Sequence, residues 1–155
     1  MKLRFIWIGK AKSSPIRELV EDYLGRVKKF ARVIVSELRD RDEGGADARR
    51  VIEKEGDALL SAIEQDPFVV LLDERGREME SRELAGFLEK HRMDGTRQIT
   101  FVIGGHLGVS ERVRERADFT LALSRMTLTH EMARVLLVEQ IYRAFAILHG
   151  LPYQK

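Results

Sequence analysis

Phe68-Val69-Val70-Leu71-Leu72 is an unbroken apolar run, entered through Pro67 and left through Asp73. A strand of this composition has no polar face to give to water. It must be covered on both sides, as strands are in a parallel sheet flanked by helices. The rest of the chain agrees with that demand. Strand-like segments at Leu3–Ile8, Arg32–Leu38, Ile99–Ile103 and Phe119–Leu123 alternate with segments of helical periodicity. The first of these repeats apolar residues at Ile16, Leu19, Val20, Tyr23, Leu24, Val27 and Phe30 behind a Ser14-Pro15 start signal. The second spans Ala48–Ile63, a short third is capped by Ser81, a short fourth starts at Ser110, and the last runs from about Thr129 to His149. Strict alternation predicts an α/β fold, with a mostly parallel sheet of five or six strands and helices on both faces.

The chain of 155 residues reads as one domain, 1–155, with enough apolar material (44%) for a core. Charged residues make up 34%, which predicts a surface rich in ion pairs. The absence of cysteine excludes a disulfide scaffold, a zinc-thiolate site and a cysteine nucleophile. Met1-Lys-Leu-Arg leads directly into a strand, with no signal-like segment and no apolar span of membrane length, so a cytoplasmic protein is expected. A net charge of +2 permits a nucleic-acid partner without requiring one. Arg39–Asp47 (RDRDEGGAD) reads as a mobile loop.

Ligands of open parallel sheets sit beyond the carboxyl ends of the strands. Here those ends are Leu72-Asp73, Gly104-Gly105 and Leu123-Ser124, three loops expected to share one crevice. Each has a plainer reading. Gly104-Gly105-x-x-Gly108 is not the dinucleotide fingerprint and could be a tight turn. Asp73 could hold ribose hydroxyls or be a solvated loop residue. Ser124–Thr129 could simply cap the last helix. His130 reads as packing near that helix start, and His106 and His149 as solvent-facing; no histidine pair has metal-ligand spacing, so no metal is expected. Glu139 and Arg143 are spaced for a helical ion pair. Their helix is apolar almost all round, which suggests burial against the sheet and a second subunit.

Taken together, MKLRFIWIGK, LLDERGREMESRELA, FVIGGHLGVS, LSRMTLTHEMAR and EQIYRAFAILHGLPYQK resemble, in order and over essentially the whole chain, the ribosomal large subunit methyltransferase H family. These are small enzymes of the knotted SPOUT class that methylate N3 of a pseudouridine in 23S rRNA. The resemblance implies a C-terminal trefoil knot, a homodimer and S-adenosylmethionine as methyl donor. Its cofactor contacts fall on Leu72, Gly104, Leu123, Ser124, Arg125, Met126, Thr127 and Leu128. One departure stands out. The family tail carries Tyr-His before a basic residue, and this chain has Tyr153-Gln154-Lys155. Glutamine does not titrate, so a proton-accepting role cannot transfer to it.

On this reading Arg143 and Lys155 stabilise charge on the acceptor base, Tyr153 stacks on or orients it, and Gln154 orients by hydrogen bonding. Lys10, Lys12, Arg75, Arg77 and Lys155 are expected to meet the RNA of the large subunit or ribosome. Two alternatives stand beside it. One is an RNA-binding protein of the same fold that binds the donor with little or no turnover, motivated by Gln154. The other is a nucleotide-binding oxidoreductase, disfavoured by the missing G-x-G-x-x-G.

Overall fold

A computed structural model describes residues 1–42, 44 and 47–154, Gln154 by its backbone alone. Five parallel strands form one sheet in the order β2-β1-β4-β3-β5: β1 (Lys2–Ile8), β2 (Arg32–Leu38), β3 (Val69–Glu78), β4 (Gln98–Ile103) and β5 (Phe119–Ala122). The helices are α1 (Ser14–Val27), α2 (Ala48–Ile63), α3 (Ser81–Met93), α4 (Glu111–Arg116) and α5 (His130–Leu148), followed by a 3-10 turn at Pro152–Gln154.

Alternation along β1 divides the core. Leu3, Phe5 and Trp7 face a cluster built with Val20 and Leu24 of α1, Leu84 and Leu88 of α3, and Leu137 and Ile141 of α5. Ile6 and Ile8 face the opposite cluster, with Leu59 and Ile63 of α2 and Val113 of α4. Val69, Val70 and Leu71 are buried, divided between the two clusters, so the apolar run is covered on both sides.

Two elements depart from the sequence reading. β3 does not end at Leu72. It continues to Glu78, and Leu121 of β5 partners both Leu72 and Arg77, so residues 73–76 bulge out between two paired segments. Gly76 makes the return feasible, because a Cβ there would lie 2.6 Å from the Thr120 carbonyl oxygen. Secondly, α5 is covered by α1 and α3 of its own chain, and Ile141 has no accessible surface. Much of the apolar surface of α5 is therefore covered within one chain, while Met132 is exposed and Leu136, Ile147 and Leu148 are only partly buried. At the caps, Ser13 rather than Ser14 precedes α1, and Glu80, in a capping box with Glu83, precedes α3 in place of Ser81.

Candidate functional site

A cavity of about 690 Å³ opens where β3 bulges after Leu72 and beyond the carboxyl ends of β4 and β5. The β3 bulge supplies Leu72, Asp73 and Glu74; the β4 end supplies Gly104 through Val109; the β5 end supplies Leu123, Ser124, Met126, Thr127 and Leu128. His130 and Ala133 of α5 close one side. Of the cofactor positions implied by the resemblance, only Arg125 lies outside this lining. It is exposed and pairs with Glu78 at 3.3 Å. The volume, with leucine walls and a few polar groups, is of the size and character that hold small-molecule cofactors.

Local chemistry shapes each wall. Ser124 Oγ accepts the Met126 N–H at 2.9 Å, which tightens the loop, and Thr127 Oγ1 donates to Glu74 Oε2 at 3.0 Å, which ties the loop to β3. Thr129 caps α5 by accepting the Met132 N–H at 3.2 Å. The segment thus caps a helix and forms a cavity wall at once. Met126 and Leu107 expose apolar surface at the rim. Asp73 is held by the protein itself: Arg114 donates two bonds to its Oδ2, at 3.1 and 2.9 Å, and the Arg75 N–H donates to Oδ1 at 2.9 Å.

Gly104 is buried, and a Cβ there would collide with Val109 Cγ1 and approach the Gly108 carbonyl oxygen at 3.2 Å. The loop's own packing therefore already requires a glycine here, whatever approaches its backbone from the cavity. Gly105 is similar, since a Cβ would strike the Glu55 carboxylate. Glu55 is itself buried and accepts the Arg41 N–H at 3.1 Å; burial pushes its carboxyl above the usual range.

Two histidines to which the sequence reading gave no site role line the cavity. His106, between the glycines, lines the cavity with Nε2 3.0 Å from Asp42 Oδ2. His130, the first residue of α5, has its ring centroid 6.5 Å from that of His106. Burial first, then the nearby Arg134, holds the His130 imidazolium pKa below the ordinary histidine value. The available signal was position: each histidine adjoins a loop singled out for other residues. Arg134 is buried below, with Nη2 donating to the Ile8 carbonyl at 2.6 Å and its guanidinium over Trp7.

Arg143 and Tyr153 do not line this cavity. They form a separate cluster at the far end of α5. Arg143 Nε and Nη2 donate to Glu139, the guanidinium lies 4.8 Å from the Tyr153 ring centroid, and the Tyr153 hydroxyl donates to Glu139 at 3.0 Å beside Tyr23. Burial and these two partners push the Tyr153 phenol well above its usual range. The side chain of Gln154 and all of Lys155 lie outside the described residues. Of the basic candidates, Arg75 lines the cavity and Arg77 pairs with Glu83 at 3.1 Å.

The model of the family described as "Predicted SPOUT methyltransferase" matches residues 1–154. The chain belongs to this family. The enzymes named ribosomal RNA large subunit methyltransferase H are similar over their full length. That of Geobacter sp. (strain M21) is 45% identical, covering 99% of this chain and 98% of its own. That of Geotalea daltonii is 43% identical, with 99% of each covered, and that of Carboxydothermus hydrogenoformans is 40% identical over all of both. The fold is also that of the tRNA (m1G37) methyltransferase of Aquifex aeolicus, with a TM-score of 0.56 at 19% identity, covering 99% of this chain and 72% of that one. Among the described residues of this SPOUT methyltransferase no helix is long and apolar enough to cross a membrane, and no group of His, Asp and Glu could hold a metal ion.

Proposed function

We propose that this SPOUT methyltransferase is a single-domain, S-adenosylmethionine-dependent enzyme that methylates N3 of a pseudouridine in 23S rRNA. The observation that carries this is convergence. Leu72, Gly104, Leu123, Ser124, Met126, Thr127 and Leu128, which the family resemblance implies for the cofactor, come from the β3 bulge and the ends of β4 and β5 and line one cavity. Family membership at 40–45% identity supports the rRNA substrate, and it sets aside the oxidoreductase alternative. The trefoil knot belongs to the same reading.

The cofactor, when bound, supplies an activated methyl group on a sulfonium. The protein's task is alignment, since positioning of this kind can lower the barrier by about 7–11 kcal/mol. Leu72, Leu123 and Leu128 would give the cofactor apolar contact, while Ser124 and Thr127 fix the loop that forms this wall of the cavity. Arg143 is the cation for the acceptor's flanking oxygens, and its planar fork suits an oxygen pair. It sits thirteen residues beyond His130 on the same helix, about 20 Å at the helical rise. Arg143 and Tyr153 therefore meet the cavity from a second copy of the chain, which makes the working form a homodimer.

Calorimetry with S-adenosylmethionine, together with transfer of labelled methyl groups to large subunits and assembled ribosomes, tests the reading. Micromolar binding and one methyl group per 23S rRNA are expected. Binding without transfer would favour the non-catalytic RNA-binding alternative that Gln154 motivates.

A further inference from the structure

An N–H acceptor must lose its proton as the methyl group arrives, and the cavity contains few groups able to take it. Among its described residues Asp73 is occupied by Arg114 and by the Arg75 N–H. Glu74 accepts from Thr127, and His106 is paired with Asp42. His130 alone among these titratable side chains lines the cavity with no hydrogen bond to its ring from any described residue.

We propose that His130 accepts the acceptor's N–H proton during methyl transfer. The inference rests on the methyltransferase reading above. In this step the N–H bond breaks and its proton passes to an imidazole nitrogen. The electron pair left on nitrogen forms the new bond to the methyl carbon, and the sulfur keeps the pair of the broken C–S bond. The imidazolium then releases its proton to water at the cavity mouth.

Position makes His130 suited to this. It is half-buried at the N-terminus of a 19-residue helix, whose dipole disfavours a cation there. Arg134, one turn along α5, adds positive charge, as does His106 across the cavity when protonated; Glu131 on α5 and Asp40 oppose them. Burial and Arg134 prevail, so the ring is neutral and able to accept at neutral pH. Arg134 is fixed in turn by the Ile8 carbonyl and Trp7. That anchoring keeps the charge at a constant distance from the ring.

The first test needs no turnover. Carbon-detected NMR titration of the cofactor-free protein should give His130 a pKa below about 6.5; a value at or above it overturns the proposal. The second is single-turnover methylation of ribosomal particles as a function of pH. Wild-type rates should fall as pH drops through that pKa and stay flat above it. At saturating S-adenosylmethionine, with binding verified by calorimetry, His130→Gln should lose about 10²–10⁴-fold in rate at pH 7 and gain a rate that climbs with pH. His130→Ala should recover rate with added imidazole. An active wild type beside an equally active His130→Gln removes the proton role and leaves the methyltransferase reading standing. Loss of cofactor affinity in His130→Gln with a wild-type rate at saturating S-adenosylmethionine makes it a cofactor-holding residue and also overturns the proposal. A wild type that binds the donor and methylates no ribosomal particle overturns both readings together.

Discussion

Single side chains in this site are held by a small number of strong contacts, and that makes them testable. The Asp73 carboxylate is largely buried, and Arg114 supplies its only opposite charge among the described residues. Arg114→Ala should destabilise the protein by about 3 kcal/mol, the low end for breaking a buried pair because Arg114 itself is partly exposed; urea unfolding measures it. Gly104→Ala should weaken S-adenosylmethionine binding by forcing the loop away from Val109. Gly104→Ala combined with Val109→Ala should recover much of that affinity in calorimetry, because the colliding methyl is gone. No recovery would mean that the glycine is needed for ligand approach after all. Glu55 gives a pH signature. Its folded-state pKa is raised by burial, so the folded protein binds protons more readily than the unfolded chain. Stability should decline as pH rises from the ordinary glutamate value of about 4.5 through the folded value. Glu55→Gln, which keeps an acceptor for the Arg41 N–H, should flatten the decline in melting temperature across that window.

At the scale of elements, α5 carries the most consequences. Its first turn forms the cavity wall, its buried face is core, and its second half holds Glu139 and Arg143 against Tyr153 of the tail. Ile141→Lys places an unpaired charge inside one chain, so it should unfold the protein whatever its oligomeric state. Circular dichroism would show this as loss of helix, and the variant would say nothing about dimerisation. The tail has a structural role as well. Tyr153→Phe removes the hydroxyl's contacts to Tyr23 and Glu139, at a cost of about 1–2 kcal/mol. Deleting residues 153–155 should therefore lower the melting temperature in addition to slowing transfer, and rate loss must be read against that shift.

For the whole molecule the proposed function requires a cavity at the start of α5 to be served by a cluster about 20 Å along it. If a second copy supplies Arg143 and Tyr153, two inactive proteins should complement. Mixing chains bearing Arg143→Ala with chains bearing Gly104→Val, followed by exchange of subunits, should restore part of the methylation lost in each. Activity that stays absent in the mixture, with heterodimers shown by mass spectrometry, would place both functions in one chain. Sedimentation at micromolar concentration should meanwhile report a dimer.

The sequence by itself determined the α/β class, the strand and helix order, and the crevice where three strand-like runs stop. These follow from local quantities: apolar periodicity, unbroken apolar runs and the position of glycine. Gly104 and Leu123 were legible because strand ends are legible, and Leu72 because the apolar run stops there, although the strand does not. The extension of β3 past Leu72 was not, because Asp73–Gly76 carries every local sign of a turn and only pairing with β5 carries the strand onward. Nor was the state of Asp73, which depends on Arg114 from a distant helix. The meeting of His106 and His130, 24 positions apart, and the separation of Arg143 from the cavity were decided by tertiary structure alone. Helix length and sheet order set distances between side chains that no pattern along the chain encodes.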